Sequence, residues 1–155
     1  MSNLLSTTSA ICVTLFFTRI ALAQQCDVKI TAPKAEEWVV EQGDVIGTGK
    51  IPKDSFLWLL VRRDDQPKRF FWPQQGLAAK DVNNTSQWRI SVHYGVPADR
   101  GHDFRVVVVI VDEATDDRLE NWREQAPANN YKPLVGMPST VAGCDPVEVI
   151  VKKSE

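Results

Sequence analysis

A mainly β chain is what the sequence predicts: an antiparallel β-sandwich of about seven strands, with one short helix (115–125) before the last strand. Three observations carry that expectation. From Cys26 onward, apolar residues recur at every second position rather than at helical spacing, which is the period of a half-buried strand. Runs of this kind are separated by clusters of Gly, Pro and Asp that mark turns. One segment alone breaks the alternation, and it carries helix signals.

The first 23 residues precede the alternating pattern. Residues 10–17 (AICVTLFF) are apolar, and Ala21-Leu22-Ala23 has the small-x-small shape of a signal-peptidase site. Together they predict a secretory signal peptide (1–23) cut before Gln24. The run is interrupted by Arg19 and falls short of the roughly 20 apolar residues a membrane span needs. Cleavage therefore leaves one domain (24–155), no membrane span, and a periplasmic or secreted location. Cys12 departs with the signal, and the remaining Cys26 and Cys144 are expected to form a disulfide in that oxidising setting.

Residues 26–31 alternate with Val28 and Ile30 on one face, and 38–41 and 44–51 follow. Gly47 and Gly49 share a face of that third run, where a missing side chain admits a close neighbour. Residues 55–63 (SFLWLLVRR) are apolar on both faces, which predicts a central strand. The charged turn 64–68 leads to a short return strand, 69–72, ended by Pro73, and 76–86 reads as a polar loop. In 87–94, Trp88, Ile90, Val92 and Tyr94 alternate with polar residues, predicting a strand with one wet face. Residues 103–112 (DFRVVVVIVD) form the most apolar strand, again apolar on both sides.

Both faces of that strand need cover. The segment 115–125 supplies it: Thr115 is placed as N-cap, Asp116 and Asp117 stand in the first turn, and Leu119, Trp122 and Ala126 recur at helical spacing. The helix is expected to lie on one face with Leu119 and Trp122 pointing inward. An irregular connection, 129–138, then leads to the last strand, 147–152.

The chain has 18 Lys and Arg against 20 Asp and Glu, a net charge of −2, so no basic footprint for nucleic acid is present. Nucleophilic catalysis needs a His beside its nucleophile, but the two histidines, His93 and His102, stand in no recognisable motif. A metal-assisted hydrolase would need His93, His102, Asp103 and Asp99 to converge around the 95–101 turn, and the blander reading of both histidines is plain surface residues. The paired carboxylates lie at turns and at the helix start, where solvation and the helix dipole account for them. No cofactor motif is found.

Aromatic residues offer the one surface expectation. Trp58 and Trp88 are placed in the core by alternation, whereas Phe70, Phe71 and Trp72 are consecutive and cannot all face one side. An outward ring beside Arg62, Arg69 and Gln74 has the chemistry of a protein hot spot or a sugar-stacking platform. The candidate binding residues are thus Arg62, Arg69, Phe70, Phe71, Trp72 and Gln74. Covering of that ring by the 76–86 loop or by the helix is the competing structural reading. Overlapping glycosylation acceptors at 83–86 (NNTS) are meaningful only in a eukaryotic secretory pathway.

Residues 57–61 (LWLLV), 71–74 (FWPQ), Trp88-x-Ile90-x-Val92 leading to Gly95, and Gly101-x-x-Phe104 with its Val-rich strand ending at Asp112 resemble an uncharacterised bacterial Ig-like β-sandwich module. Such modules occur in envelope, exported and signalling proteins. The resemblance covers about residues 39–152, implies a binding or scaffolding role, and transfers no catalytic residue. The expectation is an exported, non-catalytic recognition or structural module of the envelope that binds a protein partner through the 62–75 hairpin. A carbohydrate-binding module using the same hairpin is the alternative, with the His93/His102 hydrolase behind it.

Overall fold

The computed structural model of the chain describes residues 26–78 and 86–154. The expected signal peptide and the acceptors Asn83 and Asn84 lie outside them. The described residues form β1 (Lys29–Ala32), β2 (Trp38–Val39), β3 (Gln42–Thr48), β4 (Ser55–Arg63), β5 (Phe70–Ala78), β6 (Gln87–His93), β7 (Asp103–Asp112), α1 (Glu113–Gln125), β8 (Leu134–Val135) and β9 (Val147–Lys153). Two sheets result: a three-stranded one, β1-β3-β6, and a six-stranded one, β2-β9-β7-β4-β5-β8. This is a mainly β sandwich with one α-helix before the last strand, as the alternation predicts. Two of its strands, β2 and β8, are only two residues long, and β2 runs parallel to β9, the exception to antiparallel pairing.

The two central strands are dry on both faces. Leu57, Leu59 and Val61 of β4 and Val106, Val108 and Ile110 of β7 face the smaller sheet, where Val45, Trp88, Ile90 and Val92 complete the core. Trp58 and Leu60, with Val107, Val109 and Val111, face the other way into a second layer closed by Phe71 and Leu119. Cover for that layer comes from α1, as expected. Gly47 lets the Trp88 ring and the Lys29 carbonyl approach so closely that a Cβ would overlap both, which explains the missing side chain there.

The helix begins two residues earlier than expected. Asp112, not Thr115, is its N-cap, and the Asp112 carboxylate accepts the Thr115 backbone N–H at 2.9 Å. The strand β7 therefore runs straight into α1, and Thr115 is buried. Within the layer, Trp58 donates its indole N–H to Asp116 at 2.6 Å. Burial raises the Asp116 pKa more than this bond lowers it. Leu119 points inward as expected, but Trp122 is only half-buried and does not join that layer.

Cys26 and Cys144 meet at disulfide distance, their Cα atoms 5.0 Å apart across 118 residues of sequence. The pair ties the approach to β1 to the segment before β9. Among the described residues, no helix is long and apolar enough to cross a membrane.

Candidate functional site

The return strand is longer than the sequence predicts. It runs through Pro73 to Ala78 because Pro73 stands at a bulge: Leu59 pairs with Gln75 and Leu60 with Pro73, which leaves Gln74 without a partner residue. A bulge tolerates a residue that cannot donate to the ladder. The displaced Gln74 uses its amide as a brace. Its Nε2 donates to the Trp72 carbonyl at 3.0 Å, and its Oε1 accepts the His93 backbone N–H at 2.9 Å. One side chain thus ties the large sheet to the edge of the small one.

The six expected binding residues separate into three groups. Phe71 is core, 3% exposed and packed with Leu60 and Leu119. Arg62 is also interior, 4% exposed, with Nη2 3.2 Å from Asp64 and Nη1 without a partner. These two are corrections to the binding set: β4 alternation puts Arg62 on the helix-side face, and β5 alternation puts Phe71 beside it. Arg69 and Phe70 lie together at the start of β5, the guanidinium 5.4 Å from the ring centroid, next to β8. Of the six, Trp72 and Gln74 line a concavity.

That concavity is a cleft of about 620 Å³ at the end of the sandwich. It is lined by Val61, Trp72, Pro73 and Gln74 of the β4–β5 hairpin, by Val96, Asp99 and Phe104, and by Trp122, Ala126 and Tyr131 of the end of α1 and the segment after it. Trp72 links two of these segments by donating its indole N–H to the Tyr131 carbonyl at 2.8 Å. Arg63, Gln66, His93 and Arg123 stand around it. The volume lies within the roughly 300–1,000 Å³ of small-ligand pockets.

The charges of the cleft are internally paired. Arg63 donates from Nε to Asp65 at 2.6 Å and from Nη1 to Asp99 at 2.8 Å. The other Asp99 oxygen accepts the Val96 backbone N–H at 2.8 Å, while buried Lys153 donates to the Val96 carbonyl. Burial disfavours the Asp99 carboxylate, but the Val96 N–H, Arg63 and the nearby Lys153 charge outweigh it and hold the pKa below the ordinary carboxylate value. Arg123 pairs with Glu120 at 2.7 Å. Gly95, at φ +66°, leaves room for this arrangement, since a Cβ there would strike Asp99 and the Phe104 ring.

The histidines separate. His93 lines the cleft, whereas His102 lies 3.4 Å from Asp65. Among the described residues, no group of three or more His, Cys, Asp or Glu is placed to hold a metal ion. The convergence required by the hydrolase alternative is therefore not formed there. Sequence reasoning missed Trp122 and Tyr131 as cleft residues. Trp122 carries the helical spacing of a core position, and Tyr131 stands in an irregular segment with no periodic signal. A paired arginine such as Arg63 has no sequence signature at all. No protein-family model and no curated protein matches the chain.

Proposed function

We propose that the protein is an exported, non-catalytic recognition module, Ig-like in kind, that binds a protein partner of the envelope or exterior through this cleft. The observation that carries the reading is the convergence of Trp72, Trp122 and Tyr131 on one concave surface whose charged groups are already paired. An aromatic-lined recess of this kind supplies large contact area at low entropic cost. The 62–75 hairpin contributes one wall of the site rather than a protruding knob. The Cys26–Cys144 pair supports an oxidising compartment, and the two packed sheets support the Ig-like reading.

The test compares two variants for capture of cross-linked partners in extracellular and envelope fractions. Trp72→Ala is expected to keep a cooperative unfolding transition and lose the partner; Lys68→Ala, on the exposed hairpin turn, is expected to keep both. Retention of the partner by folded Trp72→Ala would overturn the reading. A glycan is the second reading, favoured by the indole of Trp72, whose bond to Tyr131 holds its ring as a fixed platform.

A further inference from the structure

We infer that the outer edge of β8 is a self-association surface whose occupant is the same edge of a second copy of this chain. The inference is independent of what the cleft binds. Register fixes the direction in which this edge points. Phe70 stands opposite Val135 and Phe71 opposite Leu134, while the Gly136 N–H donates to the Arg69 carbonyl and the Phe70 N–H turns back to the Pro67 carbonyl. Opposed residues of an antiparallel pair alternate between bonded and unbonded positions, so Val135 turns its own N–H and C=O away from β5. Strand β8 is the last in the order of the large sheet, and these two groups have no partner among the described residues.

The side chains at this edge are apolar and uncovered. Of the six large apolar side chains exposed among the described residues, Tyr131, Val135 and Met137 lie within residues 131–137, and Val135 is 65% exposed. No charged residue stands between Lys132 and Asp145. A two-fold axis centred on Val135 sets its N–H and C=O against the C=O and N–H of Val135 in the second copy, the self-complementary contact of a closed dimer. The two valines then meet side by side, Pro133 faces Met137, and Lys132 faces Pro138, so no like charges oppose. Pro133 and Pro138 bracket the edge and confine the pairing to its centre. The opposite edge, β2, lacks this match. It also exposes Trp38 and Val40, and its Glu37 and Val39 carbonyls are engaged by Lys152 and Ser154, which turns residues 38 and 40 outward. A copy paired there would set Glu37 against Glu41, and like charges directly opposed across a strand pair repel.

The experiment is sedimentation equilibrium of the purified protein over a wide concentration range, with amide hydrogen exchange read at Val135. The expected result is a reversible monomer–dimer equilibrium, the Val135 amide exchanging freely in dilute protein and becoming protected as dimer accumulates. Val135→Lys, at an exposed position, is expected to keep the fold and to weaken dimerisation about tenfold or more, through lost valine burial and two facing ammonium groups. Val40→Lys, at the β2 edge, is expected to leave dimerisation unchanged. Should Val135→Lys alter the unfolding transition, the exchange measurement on the unaltered chain decides alone. A protein that stays monomeric at every concentration overturns the proposal and leaves the cleft reading standing. A dimer that folded Val135→Lys does not weaken, or that Val40→Lys dissolves, also overturns it. Protection of the Val135 amide only by a captured partner, in an otherwise monomeric chain, overturns the second copy and assigns the edge to a foreign strand.

Discussion

Trp58 and Trp72 stand on neighbouring strands of one hairpin, and each ties its indole N–H to the segment around α1, yet the two regions they anchor behave differently. Trp58 is fully buried and bonds Asp116 at the helix start, sealing a layer with Leu60, Phe71 and Leu119. Trp72 is half-buried and bonds the Tyr131 carbonyl beyond the helix end, spanning a cleft that stays open. The difference follows from where the helix ends. Leu119 in its middle packs on the sheet, whereas its last turn and the segment after it line the cleft. One helix thus closes one site and shapes another.

The largest expected effect acts on both regions alike. Replacing Cys26 and Cys144 by Ala releases a closure of 118 residues and is expected to cost about 5 kcal/mol in the chain-entropy model; denaturant unfolding with and without reductant measures it. Trp58→Ala comes next, at about 3–5 kcal/mol for emptying a fully buried aromatic site, and it also strips Asp116 of its donor. If that variant unfolds at nearly the wild-type midpoint, the helix layer is not the closed region described here. Trp72→Ala is the contrasting change. Its ring is only partly removed from water, so a stability loss of about 1 kcal/mol is expected, with loss of partner binding.

The smallest effect separates the regions by pH. Asp116 is pushed above the ordinary carboxylate value by burial, while Asp99 is held below it, since Val96, Arg63 and Lys153 overcome its burial. As pH falls, Asp116 takes up its proton more readily folded than unfolded, so acid favours the helix layer through this group. The contribution of Asp99 is complete above its unfolded pKa of about 3.9 and is lost as pH falls through its lower folded value. Titration of the two side-chain carboxyl carbons by NMR should give midpoints on opposite sides of that value. The reverse order would dismiss the electrostatic contrast.

Much of the fold was legible because alternation reports burial directly. Trp58, Leu60, Val107 and Val109 stand at the positions that period two assigns to the helix-covered face, and Leu119 meets them. The strand β5 was misjudged at Pro73, since a proline marks a strand end and a bulge equally well in sequence. The helix start was misplaced because Asp112 and Thr115 are both good caps, and only the backbone path chooses between them. The candidate site was half legible. Trp72 and Gln74 were within reach of a compositional argument, but Trp122 and Tyr131 reach the cleft only through the way the chain continues past α1. Arg62 and Phe71 showed the opposite failure: beside an aromatic and a turn they resembled surface chemistry, whereas the fold buries both.

The five tryptophans give a site-resolved readout of the whole proposal, because each indole N–H has its own NMR signal. On titration with the partner captured in the cross-linking test, the signals of Trp72 and Trp122 should move together, while those of Trp58 and Trp88 in the core and of exposed Trp38 stay in place. Movement confined to Trp38, or shifts in none of the five while the partner binds, would contradict the assignment of recognition to the cleft.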